Sequence, residues 1–272
     1  SGPVTVATLH GTDVSVHGRE PAQRRLLSES LRALAAVTTV SHDHARLARH
    51  LFALSEPPLV IPNFIDITRF KPTQSPHRDR PRIVHVSNFR RVKDPGSLAH
   101  VFLAVRERID AELWLVGDGP SLPVLREMLS EARAEDAVRF FGATADVATI
   151  LREADLLLMT SVVESFCVAA AEAMACGIPV VAPRVGGLGE LVGDGASGRL
   201  FRVGAHAEAA DAVAELLAHP SLRRRVGSAA RRHAARFASE RIVPRYESLY
   251  RNLVDRGESN DRPARAVAEA GT

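Results

Sequence analysis

Cysteine is nearly absent: Cys167 and Cys176 are the only two in the chain. They stand nine residues apart in what reads as one helix. At about 100° and 1.5 Å per residue they fall on opposite faces, about 13 Å apart, and cannot bridge. A disulfide scaffold is thereby excluded, and a reducing compartment fits. Aromatic residues make up 5%, with one tryptophan and two tyrosines. No aromatic-plus-basic motif accompanies the net charge of +3, so no nucleic-acid partner is expected. The sequence holds no run of about 18 apolar residues and no secretory signal pattern. No transmembrane segment is expected, and the cytoplasm is the expected compartment. No metal-ligand spacing of His and Cys occurs, so no metal is expected. Gly117-Asp118-Gly119 lacks the third glycine of a dinucleotide fingerprint and Pro120 closes the turn, which argues against NAD.

What is present is a chain with 46% hydrophobic and 25% charged residues, ordinary for a globular protein. A strand opens it (Pro3–His10). A helix near Pro21–Leu34, a strand at Val37–Val40, a helix from Asp43 to Phe52 and a strand at Leu59–Ile61 follow. Residues 71–81 hold three prolines and read as a linker. Beyond it, apolar runs at Ile83–Val86, Leu113–Val116, Val138–Phe141, Leu156–Thr160, Pro179–Ala182 and Arg199–Phe201 alternate with helical segments, one of them Phe166–Ala175. Continuously apolar strands separated by helices predict a parallel sheet covered on both faces, the doubly wound α/β fold. Ligands of that fold bind beyond the carboxyl ends of the strands. The expected layout is a first domain over 1–70, a second over 82–237, a helix over 238–256 that returns to the first, and a polar, disordered tail over 257–272.

Four features could carry chemistry. Glu164 and Glu172 flank the start of the helix after a buried strand, about 12 Å apart if both lie on it. Carboxylates so placed cannot share one proton, but they can hold two ends of an elongated ligand. Taken alone, Glu164 is a first-turn residue and Glu172 a solvated helical one. However, Ala169–Ala171, Ala173 and Met174 surround Glu172 with small, buried-looking neighbours, and a buried carboxylate needs a partner. Second, Ser87-Asn88-Phe89-Arg90-Arg91-Val92-Lys93 gathers three cations at a strand's carboxyl end, where Arg suits phosphate through its fork and Lys through its point charge. Third, the glycines of Arg184-Val185-Gly186-Gly187-Leu188-Gly189-Glu190 would let backbone N–H groups approach an anion. Fourth, His10 ends a strand beside Gly11, which leaves its imidazole accessible.

Together these features resemble the retaining GT-B glycosyltransferases of family four. Glu164 and Glu172 match that family's Glu-x7-Glu motif, and Arg90 and Lys93 its pyrophosphate-binding cations. The runs Thr8–Val14, Asn63–Asp66, Ser87–Lys93 and Glu172–Gly177 resemble the branch that transfers N-acetylglucosamine from UDP-N-acetylglucosamine to L-malate. Many relatives carry Gly-Arg where this chain has Ser87-Asn88. The resemblance runs from about Val4 to Arg251. It implies two Rossmann-like domains, the first of them truncated here, and a donor site that includes Asn88, Ser165, Phe166, Gly186 and Gly187. It places Glu172 on the ribose, Glu164 on the donor sugar, and Arg90 and Lys93 on the diphosphate. Backbone near Gly142 would read the uracil. His10 would line the sugar from the other domain, with Thr8 and Asp13 on the acceptor side. Anomeric configuration would be retained without a metal. The family's first domain opens upstream with a glycine-rich loop that this sequence does not contain. Either a complementing polypeptide or a second copy of the chain is therefore an expected partner, or the chain is a fragment. Two readings stay open beside the malate enzyme: another acceptor, such as a lipid or polysaccharide, and a non-catalytic nucleotide-sugar-binding fragment.

Overall fold

A computed structural model describes residues 4–73 and 80–260. Six of the linker residues, 74–79, and the tail from 261 lie outside the described residues.

The front of the chain forms a three-stranded parallel sheet in the order β1-β2-β3, with β1 at Val6–Leu9, β2 at Ala36–Thr39 and β3 at Leu59–Val60. Between them run the short helix α1 (Thr12–Ser15), α2 (Pro21–Arg32) and α3 (His42–Phe52). Leu9, Val14, Leu31, Ala48 and Phe52 form its small core.

The larger sheet has six parallel strands: β4 (Arg82–Val86), β5 (Glu112–Val116), β6 (Val138–Gly142), β7 (Leu156–Leu158), β8 (Val180–Pro183) and β9 (Gly198–Phe201). Their spatial order is β6-β5-β4-β7-β8-β9. Successive residues of a strand point to opposite faces, and both faces are filled. Ile83, Leu156 and Leu158 join one core with α4 (Pro95–Arg106), α5 (Leu122–Glu131) and α9 (His206–Ala218). Val84 and Leu157 join the other with α6 (Val147–Arg152), α7 (Val168–Ala175) and the four-residue helix α8 (Leu188–Leu191). That is why the central positions of these strands are mostly apolar on both faces. Helix α10 (Pro220–Ala234) packs along α7, and α11 spans Ser239–Asn260. Among the described residues no helix is long and apolar enough to cross a membrane.

Three expectations need correction. The strand expected to reach Thr160 stops at Leu158, because the Thr160 hydroxyl instead donates to the carbonyls of Lys93 and Asp94 at 2.8 and 3.1 Å. The disordered tail expected from residue 257 gives way to helix as far as Asn260. The helix expected from Phe166 starts two residues later, since Cys167 adopts a left-handed φ of 76° that no helix can continue through. The two cysteines therefore flank α7 rather than ride on it. Both thiols are free and buried, and burial pushes the Cys176 thiol up to about 12.

The two sheets are joined by backbone. Ile65 N–H donates to Phe237 at 2.9 Å, and Ser239 N–H returns to Ile65 at 3.1 Å. Arg245 and Tyr246 of α11 reach the carbonyls of Val60 and Ile61. Beside this joint the Arg231 guanidinium donates to Phe70 at 2.7 Å, Ala175 at 2.6 Å and Ile67 at 3.1 Å. One cation thus satisfies carbonyls from the chain entering the large sheet and from the end of α7. Arg231→Met strands all three, and charged hydrogen bonds of this kind carry about 1.5–3 kcal/mol each, though not additively. We expect Arg231→Met to lower stability by roughly 2–4 kcal/mol in urea denaturation. Arg231→Lys should fall between the variant and the parent, because an ammonium cannot span the fork.

Candidate functional site

In the large sheet the strand order reverses between β4 and β7, so the chain leaves these neighbours in opposite directions and opens a crevice above their carboxyl ends. The loops that follow β4 and β7 therefore meet there.

The loop after β4 is set from beneath by His85. This imidazole is fully buried, and burial brings it down to about 4, so it is neutral. Its Nδ1 lies 2.9 Å from the Leu158 carbonyl, which fixes the proton on that nitrogen. Nε2 then accepts from the Ser87 hydroxyl at 2.9 Å, and Ser87 Oγ in turn accepts the Phe89 N–H at 3.1 Å. Phe89 is held at φ 37° with its ring buried, which leaves Asn88 and Arg90 exposed on either side of it. A 3₁₀ turn at Arg91–Lys93 carries the chain into α4.

The loop after β7 is tied to the first. Val162 N–H donates to Val92 at 2.9 Å. Lys93 Nζ pairs with Glu164 Oε1, which also accepts the Ser161 hydroxyl at 3.0 Å. The loop is supported from behind by the turn before α8. A Cβ on Gly187 would stand 2.0 Å from the Ser165 carbonyl oxygen, and one on Gly186 1.9 Å from that of Glu164. The Gly187 N–H donates to Glu164 at 3.0 Å, and the Leu188 and Gly189 amides turn inward to Val185 and Gly186. Gly186 and Gly187 thus admit another backbone, and the Gly187 N–H is spent on it. Glu164, too, lies in this loop and not on the helix, so the expected spacing along one helix does not apply.

Glu172 sits within α7, half-buried. Among the described residues no hydrogen bond or ion pair reaches its carboxylate. Burial pushes it up to about 7, against a small opposing effect of the Arg69 charge. Phe166 is buried against Phe237, ring centroids 5.4 Å apart, and serves packing. Gly142 has φ 69° and open space on its Cβ side.

From the small sheet, His10 is exposed and its carbonyl accepts the Ser165 hydroxyl, which brings the two halves into contact. Asp13, expected on the acceptor side, instead holds this turn. Its oxygens accept the N–H groups of Gly11 at 2.7 Å, His10 at 2.9 Å and Val14 at 3.0 Å. Burial alone would raise the Asp13 carboxyl, but the His44 imidazole and these amides outweigh that and hold it below the usual range. Thr8 accepts from Thr38 at 2.8 Å within the sheet. A second contact between the halves had no assigned role in the sequence. Glu190 accepts the N–H groups of His42 at 2.9 Å and Asp43 at 2.6 Å, capping α3 from 148 and 147 residues away.

The doubly wound sheet, the second α/β unit and a cleft between them define a GT-B glycosyltransferase fold. Residues 66–233 match the family described as glycosyl transferases group 1. The chain is 34% identical over 258 residues to N-acetyl-alpha-D-glucosaminyl L-malate synthase of Bacillus anthracis, covering 92% of this chain and 68% of that one. It is 31% identical to the D-inositol 3-phosphate glycosyltransferase of Arthrobacter sp. (strain FB24), of which it spans 61%. The crystal structure of Anabaena HepE in complex with UDP superposes with a TM-score of 0.79 at 24% identity, over 92% of this chain and 72% of that one. The chain belongs to the group 1 glycosyltransferase family.

Glu172 makes a prediction independent of substrate. Its folded pKa, about 7, lies above the ordinary 4.5. Below the ordinary value both folded and unfolded states are protonated. As pH rises, the unfolded state ionises first, and stability falls until the folded state ionises near 7. We expect stability to drop by roughly 2–3 kcal/mol between about pH 4 and pH 8 from this group. In Glu172→Gln that component should vanish, as measured by urea denaturation at several pH values.

Proposed function

We propose that this protein transfers N-acetylglucosamine from UDP-N-acetylglucosamine to L-malate with retention at the anomeric carbon, a step of bacillithiol biosynthesis. The observation that carries the reading is the Lys93–Glu164 pair at the switch point, with Arg90 exposed on the same loop. A sugar–phosphate junction needs a cation for its phosphate beside an acceptor for its sugar hydroxyls, and this pair offers both. The malate synthase relative supports the choice of donor and acceptor.

In this reading Arg90 and Lys93 neutralise the diphosphate, the task a divalent ion performs in other transferases, so no metal is required. As the bond from C1 to the leaving phosphate oxygen breaks, these cations stabilise the charge that develops there. The acceptor hydroxyl oxygen bonds C1 from the same face, and its proton passes to the departing phosphate. Glu172 accepts from the ribose hydroxyls, Glu164 from the sugar, backbone at Gly142 faces the base, and His10 closes the sugar site from the small sheet.

Calorimetry in EDTA tests the donor site. UDP should bind without added metal, and binding that appears only with Mg²⁺ or Mn²⁺ would overturn the assignment. Glu172→Ala should weaken free UDP by about tenfold, in line with the loss of roughly 1–3 kcal/mol for a buried hydrogen-bonding partner. Glu164→Ala should leave free UDP unchanged and weaken only UDP-N-acetylglucosamine. Equal effects of both changes on UDP would remove the division of labour.

A second acceptor, D-inositol 3-phosphate, is favoured by the 31% identical relative. Incubation with UDP-N-acetylglucosamine and each acceptor decides between them. Transfer to L-malate alone supports the first reading, and transfer to the inositol phosphate alone selects the second. Donor binding with transfer to neither points to a nucleotide-sugar-binding role for this chain.

A further inference from the structure

A cavity of about 520 Å³ lies between the small sheet and the carboxyl-terminal helices. Of the expected donor-site residues Phe166 and Gly187 line it, whereas His10, Arg90, Lys93, Glu164 and Glu172 do not. Its polar lining is Ser41, His42 and Arg46 at and within α3, His233 and Arg236 from the end of α10 and the turn after it, Arg245 from α11, and Glu190. Three guanidinium groups and two imidazoles thus surround one carboxylate. That carboxylate is already engaged, since both Glu190 oxygens accept the amides that open α3. Arg46 pairs with Asp43 at 2.9 Å and Arg245 donates one nitrogen to the Val60 carbonyl at 2.7 Å, which leaves further N–H donors on each. Among the described residues the exposed Arg236 guanidinium makes no hydrogen bond or ion pair. The field it creates shows in its neighbour: burial first, then the Arg236 charge, lowers the His233 imidazole. Between the cations the wall is apolar, from Val40, Val60, Phe237 and Ile242.

We propose that this cavity binds a small organic anion, its phosphate or carboxylate group held by Arg236 and Arg245 and its apolar body lying against Phe237 and Ile242. Cavities of this size commonly take small molecules, and guanidinium forks from separate elements suit an oxyanion. The ligand would touch α3 on one side and α10 and α11 on the other, so its binding ties the two halves together. Its cations are separate from Arg90 and Lys93 of the donor crevice, the two sites share only the wall at Phe166 and Gly187, and the proposal holds whether or not the proposed donor is correct.

Calorimetry of the whole chain with phenyl phosphate and, separately, benzoate tests the proposal, the two probes distinguishing a phosphate from a carboxylate head. The expected result is saturable one-to-one binding of at least one probe. It should weaken at least tenfold in Arg236→Ala and in Arg245→Ala and be partly restored in Arg236→Lys, with UDP affinity unchanged in all three. Arg236 has no partner to lose, so its removal leaves the fold intact, and unchanged UDP binding verifies this. Absence of binding by both probes overturns the proposal. So does probe affinity that the variants leave unaltered, or competition between the probe and UDP, which would place the anion in the donor crevice.

Discussion

The arrangement of this molecule depends on one close approach of backbone to backbone. Where the turn before α8 passes behind the loop after β7, no side chain can intervene, and Gly187 donates its N–H to Glu164 directly. Gly187 sits at φ −65°, a conformation open to any residue, so its requirement is spatial. A parallel sheet places its loops at one end but does not fix their height or angle. Here that is done by contact, and the same device recurs under the loop after β4, where a Cβ on Gly119 would lie 1.8 Å from the Asn88 carbonyl oxygen. Each crevice loop is thus set against a glycine of the adjoining turn.

Once the loops are held this way, the Lys93–Glu164 pair becomes possible. Its members come from opposite sides of the switch point, 71 residues apart in sequence, and their side chains are largely shielded from water. A shielded pair of this kind is costly to break by removing one partner. A ligand that engages both at once, a phosphate on one and hydroxyls on the other, replaces their mutual attraction with equivalent bonds and strands neither. This favours a molecule that carries both groups side by side over one that carries either alone.

Much of this was legible in sequence because it rests on local chemistry. Mostly apolar strands between helices implied a parallel sheet covered on both faces, and three cations after the first strand of that sheet drew attention to the loop from which Lys93 reaches Glu164. What could not be read depended on partners distant in the chain. The start of α7 was misjudged because the alanines after Phe166 favour helix, whereas Cys167 adopts a left-handed turn imposed by its surroundings. Gly186 and Gly187 suggested an anion cradle, and the close approach of another backbone that they also allow could not be read from the turn itself. His85 looked like one more core position in an apolar strand, yet its two nitrogens orient Ser87 and, through it, Phe89. Glu190 and Arg231 carried no local signal, since every group they bind lies far away in sequence.

The joint also bears on how the fold meets a change of pH. Arg231 clamps three carbonyls at once, two from the chain entering the large sheet and one from the end of α7. Glu172, in the helix whose last turn that clamp holds, changes charge near neutrality. A group that titrates is thus mounted on a helix pinned at its carboxyl end, and the cost of ionising it is drawn from the stability of the whole fold.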